Sequence, residues 1–256
     1  MLNNAALQGA NLLDAQLQGA WLQMAGLQGA WLHNTRLQGA WLQFASLQGA
    51  LLDNAKLQGA SLDRAQLRSA SVREAFIWRT DARMADATDA WINSSVSGPI
   101  MKFFPDWSAE SFSNYKQRIE KLVPEGARRE SALARVNILN PETPLREEQQ
   151  MAEYWNKLQS LSPAPADYEA KLANQWRLIG CSADGAPYVL AGLIRTMDSA
   201  YSPFSSDSVE VPRLAAAFLK DDCAGAPGLS EDARATLKAL RDRAARSSIN
   251  PSSQTQ

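Results

Sequence analysis

The sequence predicts a mixed protein, in which a solenoid of short repeats is followed by a small all-α domain. Two observations support this fold class. Leucine occupies all fourteen positions from Leu2 to Leu67 in steps of five residues. Beyond residue 107 apolar residues instead recur at the three- and four-residue spacing of amphipathic helices. We therefore expect a repeat domain at 1–95, a linker or cap at 96–106, a helical domain at 107–246 and a disordered tail at 247–256.

The five-residue interval fits neither a regular helix nor a flat strand. An α-helix rotates by roughly 500° over five residues and would spread the leucines around its circumference. A strand would send alternate leucines to opposite faces. A chain that turns a corner every five residues keeps every leucine inside, and short fixed periods are typical of solenoids. Val72 and Ile77 continue the frame, and alanine stands two residues before most of its members.

The segment ANLLDAQLQGAWLQ, which begins at Ala10, resembles the pentapeptide-repeat family, whose pattern is Ala, Asp or Asn, Leu and two variable residues. The resemblance covers about residues 1–95. It implies a right-handed quadrilateral β-helix with four pentapeptides, or twenty residues, in each coil. The chain departs from the family at the position before leucine, where Asn11 keeps the usual residue and most other repeats do not.

Large apolar residues occupy outward positions of the implied coils. Trp21 and Trp41 stack on one face, from which Met24 and Phe44 also project, and Trp31 lies on the opposite face with Leu51 above it. An exposed apolar patch on the order of a few hundred Å² marks an interaction surface. Three kinds of occupant remain open: the C-terminal half of the same chain, a second protomer, or a foreign protein. The predicted interaction residues are Trp21, Met24, Trp41, Phe44, Trp31 and Leu51.

The apolar spacing beyond residue 107 predicts about seven helices. The first has Phe112, Tyr115, Ile119 and Leu122 on one face and stops before Pro124. Proline in the first turn and glycine at the end delimit others, as at Pro144 and Gly180. The remaining helices are expected in the segments EGARRESALARVNIL, TPLREEQQMAEYWNKLQSL, ADYEAKLANQWRLIG, APYVLAGLIRTM, VPRLAAAFLK and SEDARATLKALRDRAAR.

The residue inventory predicts no catalytic, metal or cofactor site. The chain has one histidine, His33, and it lies in the repeats. Clustered His, Cys or carboxylate ligands for a metal are absent from the sequence, as is a glycine-rich phosphate loop. A serine or cysteine nucleophile in the helical half would lack a histidine base there.

Cys181 and Cys223 are the only cysteines, and both fall in the helical domain. Their spacing leaves two states open, namely two buried thiols or one disulfide. We expect a cytoplasmic protein in the first case and an extracytoplasmic, oxidising compartment in the second.

The charge balance argues against nucleic acid and an anionic membrane as partners. The chain carries 26 basic and 27 acidic residues, a net charge of −1. The start, MLNNAALQGA, lacks the pattern of a secretion signal, and the longest apolar run, near residue 190, is too short to span a bilayer. The expected partner is therefore a protein or a second copy of the chain.

The favoured function is a non-catalytic structural or protein-interaction module. The family resemblance supplies one alternative, because some pentapeptide-repeat proteins resemble duplex DNA and act on DNA gyrase. Residues 1–95 contain seven basic and seven acidic residues, whereas duplex DNA carries one negative charge per ~1.7 Å of its axis. This neutrality argues against DNA mimicry. An unrecognised enzyme in the helical domain is a second alternative.

The first coil presents a further problem, because no polar unit closes it ahead of Leu2. Solenoids need such caps, and the helical domain is expected to supply one at the other end. We favour a longer array whose earlier coils precede this sequence, and the alternatives are end-to-end stacking of two chains or folding of the first residues over the core.

Overall fold

The computed structural model describes residues 1–92, 108–122, 124–140, 142–143, 145–182, 186–200 and 202–247. These residues form a solenoid followed by seven helices. The predicted linker at 96–106 lies outside the described residues. So does the predicted tail, apart from Ser247, which ends the last helix.

The solenoid has twenty residues in each coil, as the resemblance implied. Parallel bridges join residues twenty apart, such as Ala6 with Gly26 and Gln16 with Arg36. Each coil contains four five-residue units, and each unit includes a turn. Because the turns leave room for one bridged residue per unit, residues 1–92 contain isolated bridges and no extended strand.

The interior of the solenoid is a stack of leucine and alanine. Every repeat leucine from Leu22 to Leu67 is completely buried. In the inner coils, backbone hydrogen bonds tie each unit to the coils on both sides. The N–H of Arg36 donates to the carbonyl of Ala15 at 2.9 Å, and the N–H of Leu37 donates to the carbonyl of Lys56 at 2.8 Å. Apolar burial and a satisfied backbone together hold the coils in register.

Seven helices follow the solenoid in the described residues, in agreement with the predicted number. Proline opens two of them, where its missing N–H costs nothing and its fixed φ suits a first turn. The helices are α1 (Ala109–Leu122), α2 (Ala127–Asn137), α3 (Glu148–Ser160), α4 (Pro165–Gly180), α5 (Pro187–Met197), α6 (Glu210–Phe218) and α7 (Glu231–Ser247).

The helices fall into three groups. α1 packs against α2, while α4, α5, α6 and α7 pack together around a core that includes Trp176, Leu190 and Phe218. α3 lies apart from both groups and packs onto the solenoid through Trp155 and Leu158.

The α4–α7 group lies along the side of the solenoid and contacts it closely. Gly192 of α5 faces the backbone of Gly9, and a Cβ atom at Gly192 would overlap that backbone. The indole N–H of Trp176 in α4 donates to the carbonyl of Gly49 at 2.8 Å. Leu139, which follows α2, packs at the Gly59 corner. The solenoid and the helices therefore share contacts along several coils.

The last coil is closed by α3. The indole N–H of Trp155 donates to the carbonyl of Thr80 at 3.0 Å, and Ser162 accepts a hydrogen bond of 2.9 Å from the N–H of Ile92. In earlier coils a neighbouring coil supplies these partners, so α3 replaces the coil that would come next. The expectation that the helical domain caps this end is confirmed.

Candidate interaction surface

One side of the solenoid carries an apolar surface that we call the tryptophan wall, formed by Trp21, Met24, Trp41 and Phe44. Met24 is 57% exposed and Phe44 is 48% exposed, while the two tryptophans are half-buried. The indole ring centroids of Trp21 and Trp41 lie 6.2 Å apart, with the ring planes tilted by 45°. The guanidinium of Arg64 lies 5.4 Å from the ring centroid of Phe44 and closes one end of the wall.

The backbone conformation at Met24 and Phe44 is unfavourable for such side chains. Met24 and Phe44 occupy left-handed corners, with φ of 56° and 58°. The left-handed corners on the opposite side of the same two coils carry Asn34 and Asn54, and asparagine tolerates this conformation better. An exposed Met or Phe gains little burial energy at such a corner, so the folding of the coil does not explain either residue.

The opposite side of the solenoid is covered. Trp31 is 7% exposed and Leu51 is 2% exposed, and both belong to the core that the α4–α7 group forms. This corrects the expectation that they point outward to an interaction surface, because they pack against the helices of the same chain. Among the described residues that core includes neither Trp21 nor Trp41. The sequence could not separate the two sides, since both carry large apolar residues at equivalent positions.

A buried arginine fixes the loop between α2 and α3 to the solenoid. The Arg79 guanidinium donates to the carbonyls of Ile138 and Asn140 at 2.8 Å each and of Thr143 at 2.6 Å. It also pairs with Glu148 at 3.0 Å and stacks 4.3 Å from the ring centroid of Trp78. Sequence reasoning missed this junction, because nothing in the local segment WRTD identifies the distant carbonyls.

A second junction joins α4 to the later coils of the solenoid. Buried Asp53 accepts hydrogen bonds from the Ser71 hydroxyl and from the Arg73 guanidinium, which also lies 4.5 Å from the ring centroid of Trp91. Tyr168 of α4 packs on Trp91 and donates to the Ser69 carbonyl at 3.3 Å. Burial raises the pKa of Tyr168, so its hydroxyl remains a donor. The charged and polar groups at this junction therefore support the packing of α4 on the solenoid.

Cys181 and Cys223 form a disulfide, with their Cα atoms 4.2 Å apart. The bond joins the residue after α4 to the segment between α6 and α7, and Cys223 is buried in the α4–α7 core. The structure thus contains the second of the two states that the sequence left open.

A cavity of about 470 Å³ lies beside the start of α6. Its polar lining consists of serine hydroxyls, Asp207 and Arg243, and Arg243 pairs with Asp198 at 2.6 Å. Within the described ranges, Asp207 makes no hydrogen bond to a serine of this cavity, and we assign no catalytic role to it. A search of the same ranges gives no group of three or more His, Cys, Asp or Glu placed to hold a metal ion.

None of the helices in the described part of the chain is long and apolar enough to cross a membrane.

Comparison with protein families identifies the solenoid. The model for pentapeptide repeats matches in eight copies, over residues 2–39, 35–73 and 45–81. Residues 2–81 therefore belong to the pentapeptide-repeat family. A search of curated proteins finds no match.

Solved pentapeptide repeat proteins are similar to part of the chain. One from Nostoc PCC 7120 is 27% identical over 34% of this chain and 77% of its own, with a TM-score of 0.31. One from the cyanobacterium Cyanothece 51142 is 32% identical over 34% of this chain and 54% of its own, with a TM-score of 0.21. QnrB1, a plasmid-mediated fluoroquinolone resistance protein, is 18% identical over 36% of this chain and 49% of its own, with a TM-score of 0.20.

Proposed function

We propose that this chain, a pentapeptide-repeat protein through residues 2–81, is a non-catalytic module that binds a protein partner through the tryptophan wall. The observation that carries the proposal is the contrast between two sides of one solenoid. Trp31 and Leu51 are buried by the α4–α7 group, whereas Met24 and Phe44 remain about half exposed. Apolar surface that the described part of the chain leaves exposed is typical of a binding site.

The scaffold suits this role because it is stiff. We infer that the solenoid is the right-handed quadrilateral β-helix of its family, for which the twenty-residue coils are the support. Bridges between successive coils fix the spacing of Trp21 and Trp41, and of Met24 and Phe44, at about 4.8 Å along the rod. A pre-formed surface loses little conformational entropy on binding.

The chemistry of the wall fits an apolar protein surface with a polar edge. Tryptophan, phenylalanine and methionine are enriched at the centres of protein interfaces. Trp41 and Phe44 lie next to Ser61 and Arg64 in the following coil, so the apolar centre gives way to polar groups on that side. The expected partner presents an apolar patch and a hydrogen-bond acceptor or carboxylate that can reach Arg64.

Replacing Met24 and Phe44 together by asparagine tests the proposal. We expect binding of the partner to weaken by about tenfold or more, because central apolar contacts dominate interface energies. The fold should be at least as stable as that of the wild type, since asparagine suits both exposure and the left-handed corner. Partners are identified by affinity capture with the wild type, and their dissociation constants for each variant are then measured by calorimetry.

Met84→Asn is the matched control. Met84 is exposed, has φ of 58° and stands in the same corner column two coils beyond Phe44. The same substitution there should leave the affinity unchanged. A partner that binds the Met24→Asn, Phe44→Asn variant as tightly as the wild type would refute the role of the tryptophan wall. Trp21→Ser with Trp41→Ser is a second, less selective variant, because those rings are half-buried.

We also infer that the chain works in an oxidising compartment, a proposal supported by the disulfide between Cys181 and Cys223. Protein purified without reductant should show no free thiol after denaturation. The double variant Cys181→Ser, Cys223→Ser should lose about 2–4 kcal/mol of unfolding free energy, because the bond closes a long loop. Reductant should destabilise the wild type by a similar amount and leave the double variant unchanged. Two titratable thiols in the untreated protein would overturn this inference.

A further inference from the structure

A second side of the solenoid carries an open groove of about 440 Å³, which does not include any residue of the tryptophan wall. We call it the basic groove and define it by Asn34, Arg36, Asn54, Lys56 and Phe76. Asn34 and Arg36 are exposed, and the other three residues are half-buried. The described helices therefore leave this side of the solenoid accessible.

Arg36 and Lys56 stand next to each other in neighbouring coils. A parallel bridge joins them, so their backbones lie about 4.8 Å apart. Within the described ranges neither side chain forms an ion pair or a hydrogen bond. Like charges that face each other across neighbouring strands are destabilising. The folding of the solenoid therefore does not explain this pair of cations.

The carboxylates close to these cations in the sequence do not neutralise them. Asp53 precedes Lys56 by three residues, but its carboxylate accepts a hydrogen bond from the Arg73 guanidinium at 2.9 Å. Elsewhere on the solenoid the chain supplies the counter-charge itself, as where Arg68 pairs with Asp86 at 2.5 Å. The two cations of the basic groove thus remain able to pair with an anionic group from another molecule.

The other side chains of the basic groove suit a polypeptide. In the part of the chain that the structure describes, the carboxamides of Asn34 and Asn54 make no hydrogen bond. Each carboxamide offers donors and an acceptor, which match the C=O and N–H of a peptide unit. Phe76 adds an aromatic ring at one end, with the Lys56 ammonium 5.6 Å from its centroid.

We propose that the basic groove binds an extended acidic segment of a partner protein, in which acidic residues alternate with other residues. In an extended chain alternate side chains share one face and lie about 6.6–7 Å apart. Arg36 and Lys56 are long and flexible, so each reaches one of two such carboxylates. Asn34 and Asn54 bond to the peptide backbone, and Phe76 contacts an apolar residue beyond the acidic pair.

The charges at the two ends of the basic groove favour a short segment over a long polyanion. Asp14 occupies the corner one coil before Asn34, and Glu74 occupies the corner one coil after Asn54. These carboxylates repel a polymer or surface that is negative along its whole length, such as nucleic acid or an anionic membrane. The inference goes beyond the proposed function and does not depend on it, because the two surfaces share no residue.

Replacing Arg36 and Lys56 together by glutamine tests the proposal. The probe is a labelled synthetic peptide of about ten residues, long enough to cross three coils, in which glutamate alternates with serine and a leucine follows. The wild type should bind it with a micromolar Kd, and the variant about tenfold or more weakly, because two charge-assisted contacts are lost. Its stability in urea should not fall, since the two charges repel each other. Fluorescence anisotropy measures the affinity.

Arg68→Gln with Lys238→Gln is the matched control. It removes the same charge from two exposed positions outside the basic groove and should leave the affinity for the glutamate peptide unchanged. Arg36→Glu with Lys56→Glu is the charge-reversed variant. It should reject the glutamate peptide and bind a peptide that carries lysine in place of glutamate.

Several results would contradict the proposal. They are a wild type that fails to bind the glutamate peptide below about 1 mM, unchanged affinity in the Arg36→Gln, Lys56→Gln variant, or an equal loss in the matched control. Tighter binding of an oligonucleotide or of phosphatidylserine vesicles through the same two residues would also contradict it. Met24→Asn with Phe44→Asn should leave peptide binding unchanged, and a loss there would place the peptide on the tryptophan wall instead.

Discussion

Replacing Arg79 by methionine is expected to lower the unfolding free energy by about 3–5 kcal/mol, because three part-buried hydrogen bonds from a charged donor are lost at once. Methionine keeps the apolar stem, so the loss comes from the guanidinium. Among the described residues the carbonyls of Ile138 and Thr143 have no other donor, whereas the Asn140 carbonyl would keep the Thr143 N–H at 3.2 Å. The ion pair with Glu148 contributes little of this, since that side chain is 38% exposed and solvent screens it. Urea unfolding measures the change.

Arg79→Lys is the control that keeps the charge. A single ammonium group cannot reproduce the planar fork that reaches three carbonyls and a carboxylate, so lysine should recover only part of the lost stability. Amide hydrogen exchange should quicken first in residues 138–143 and in α3, the segments that Arg79 holds. A loss below 1 kcal/mol for Arg79→Met would mean that the α2–α3 loop is held to the solenoid by other contacts.

The fold of the first half was predictable from the sequence for a physical reason. All the repeat leucines, Leu37 among them, can lie inside only if the chain turns a corner every five residues. The family resemblance then predicted twenty residues in each coil. The helices were predictable in number because their apolar spacing and their proline and glycine boundaries are local signals. Pro187 at the start of α5 and Gly180 at the end of α4 illustrate this.

The placement of the helices on the solenoid was not predictable. Trp31 and Trp41 stand in the same repeat context, and the sequence gives no sign that α4 and α5 cover one and not the other. Docking depends on contacts between distant residues, such as the Trp176 indole with the Gly49 carbonyl. The sequence placed the residues of the tryptophan wall together on the outside of the coils. It could not say which outward residues the α4–α7 group would bury, and the structure was needed to exclude Trp31 and Leu51.

The two ends of the solenoid differ in the number of unpaired backbone groups that surround the apolar core layer. At the first coil Ala6, Asn11 and Gln16 leave theirs unused within the described residues. At the last coil α3 and the residues after it bond to Thr80 and Ile92 and cover the core. An edge that is not covered in this way is an aggregation hazard. Removal of the α3 contact should therefore affect solubility as well as stability.

Trp155→Ala is expected to lower the unfolding free energy by about 3–5 kcal/mol, the usual range for a large aromatic side chain in a core. Trp155 is completely buried, fills the space above the last leucine and alanine layer, and donates to the Thr80 carbonyl. Its loss opens a cavity and leaves that carbonyl unpaired. Because the edge of the last coil is then uncovered, the variant should also gain mass beyond that of the wild type in light scattering, with a growth rate that rises with concentration.

Trp155→Phe separates the two contributions. Phenylalanine retains most of the ring volume over the core and removes only the indole N–H, so it should cost about 1–3 kcal/mol, the penalty of one unsatisfied buried acceptor. Its mass should equal that of the wild type, because the apolar layer remains covered. If Trp155→Ala is as stable and as soluble as the wild type, α3 is not the cap of the solenoid.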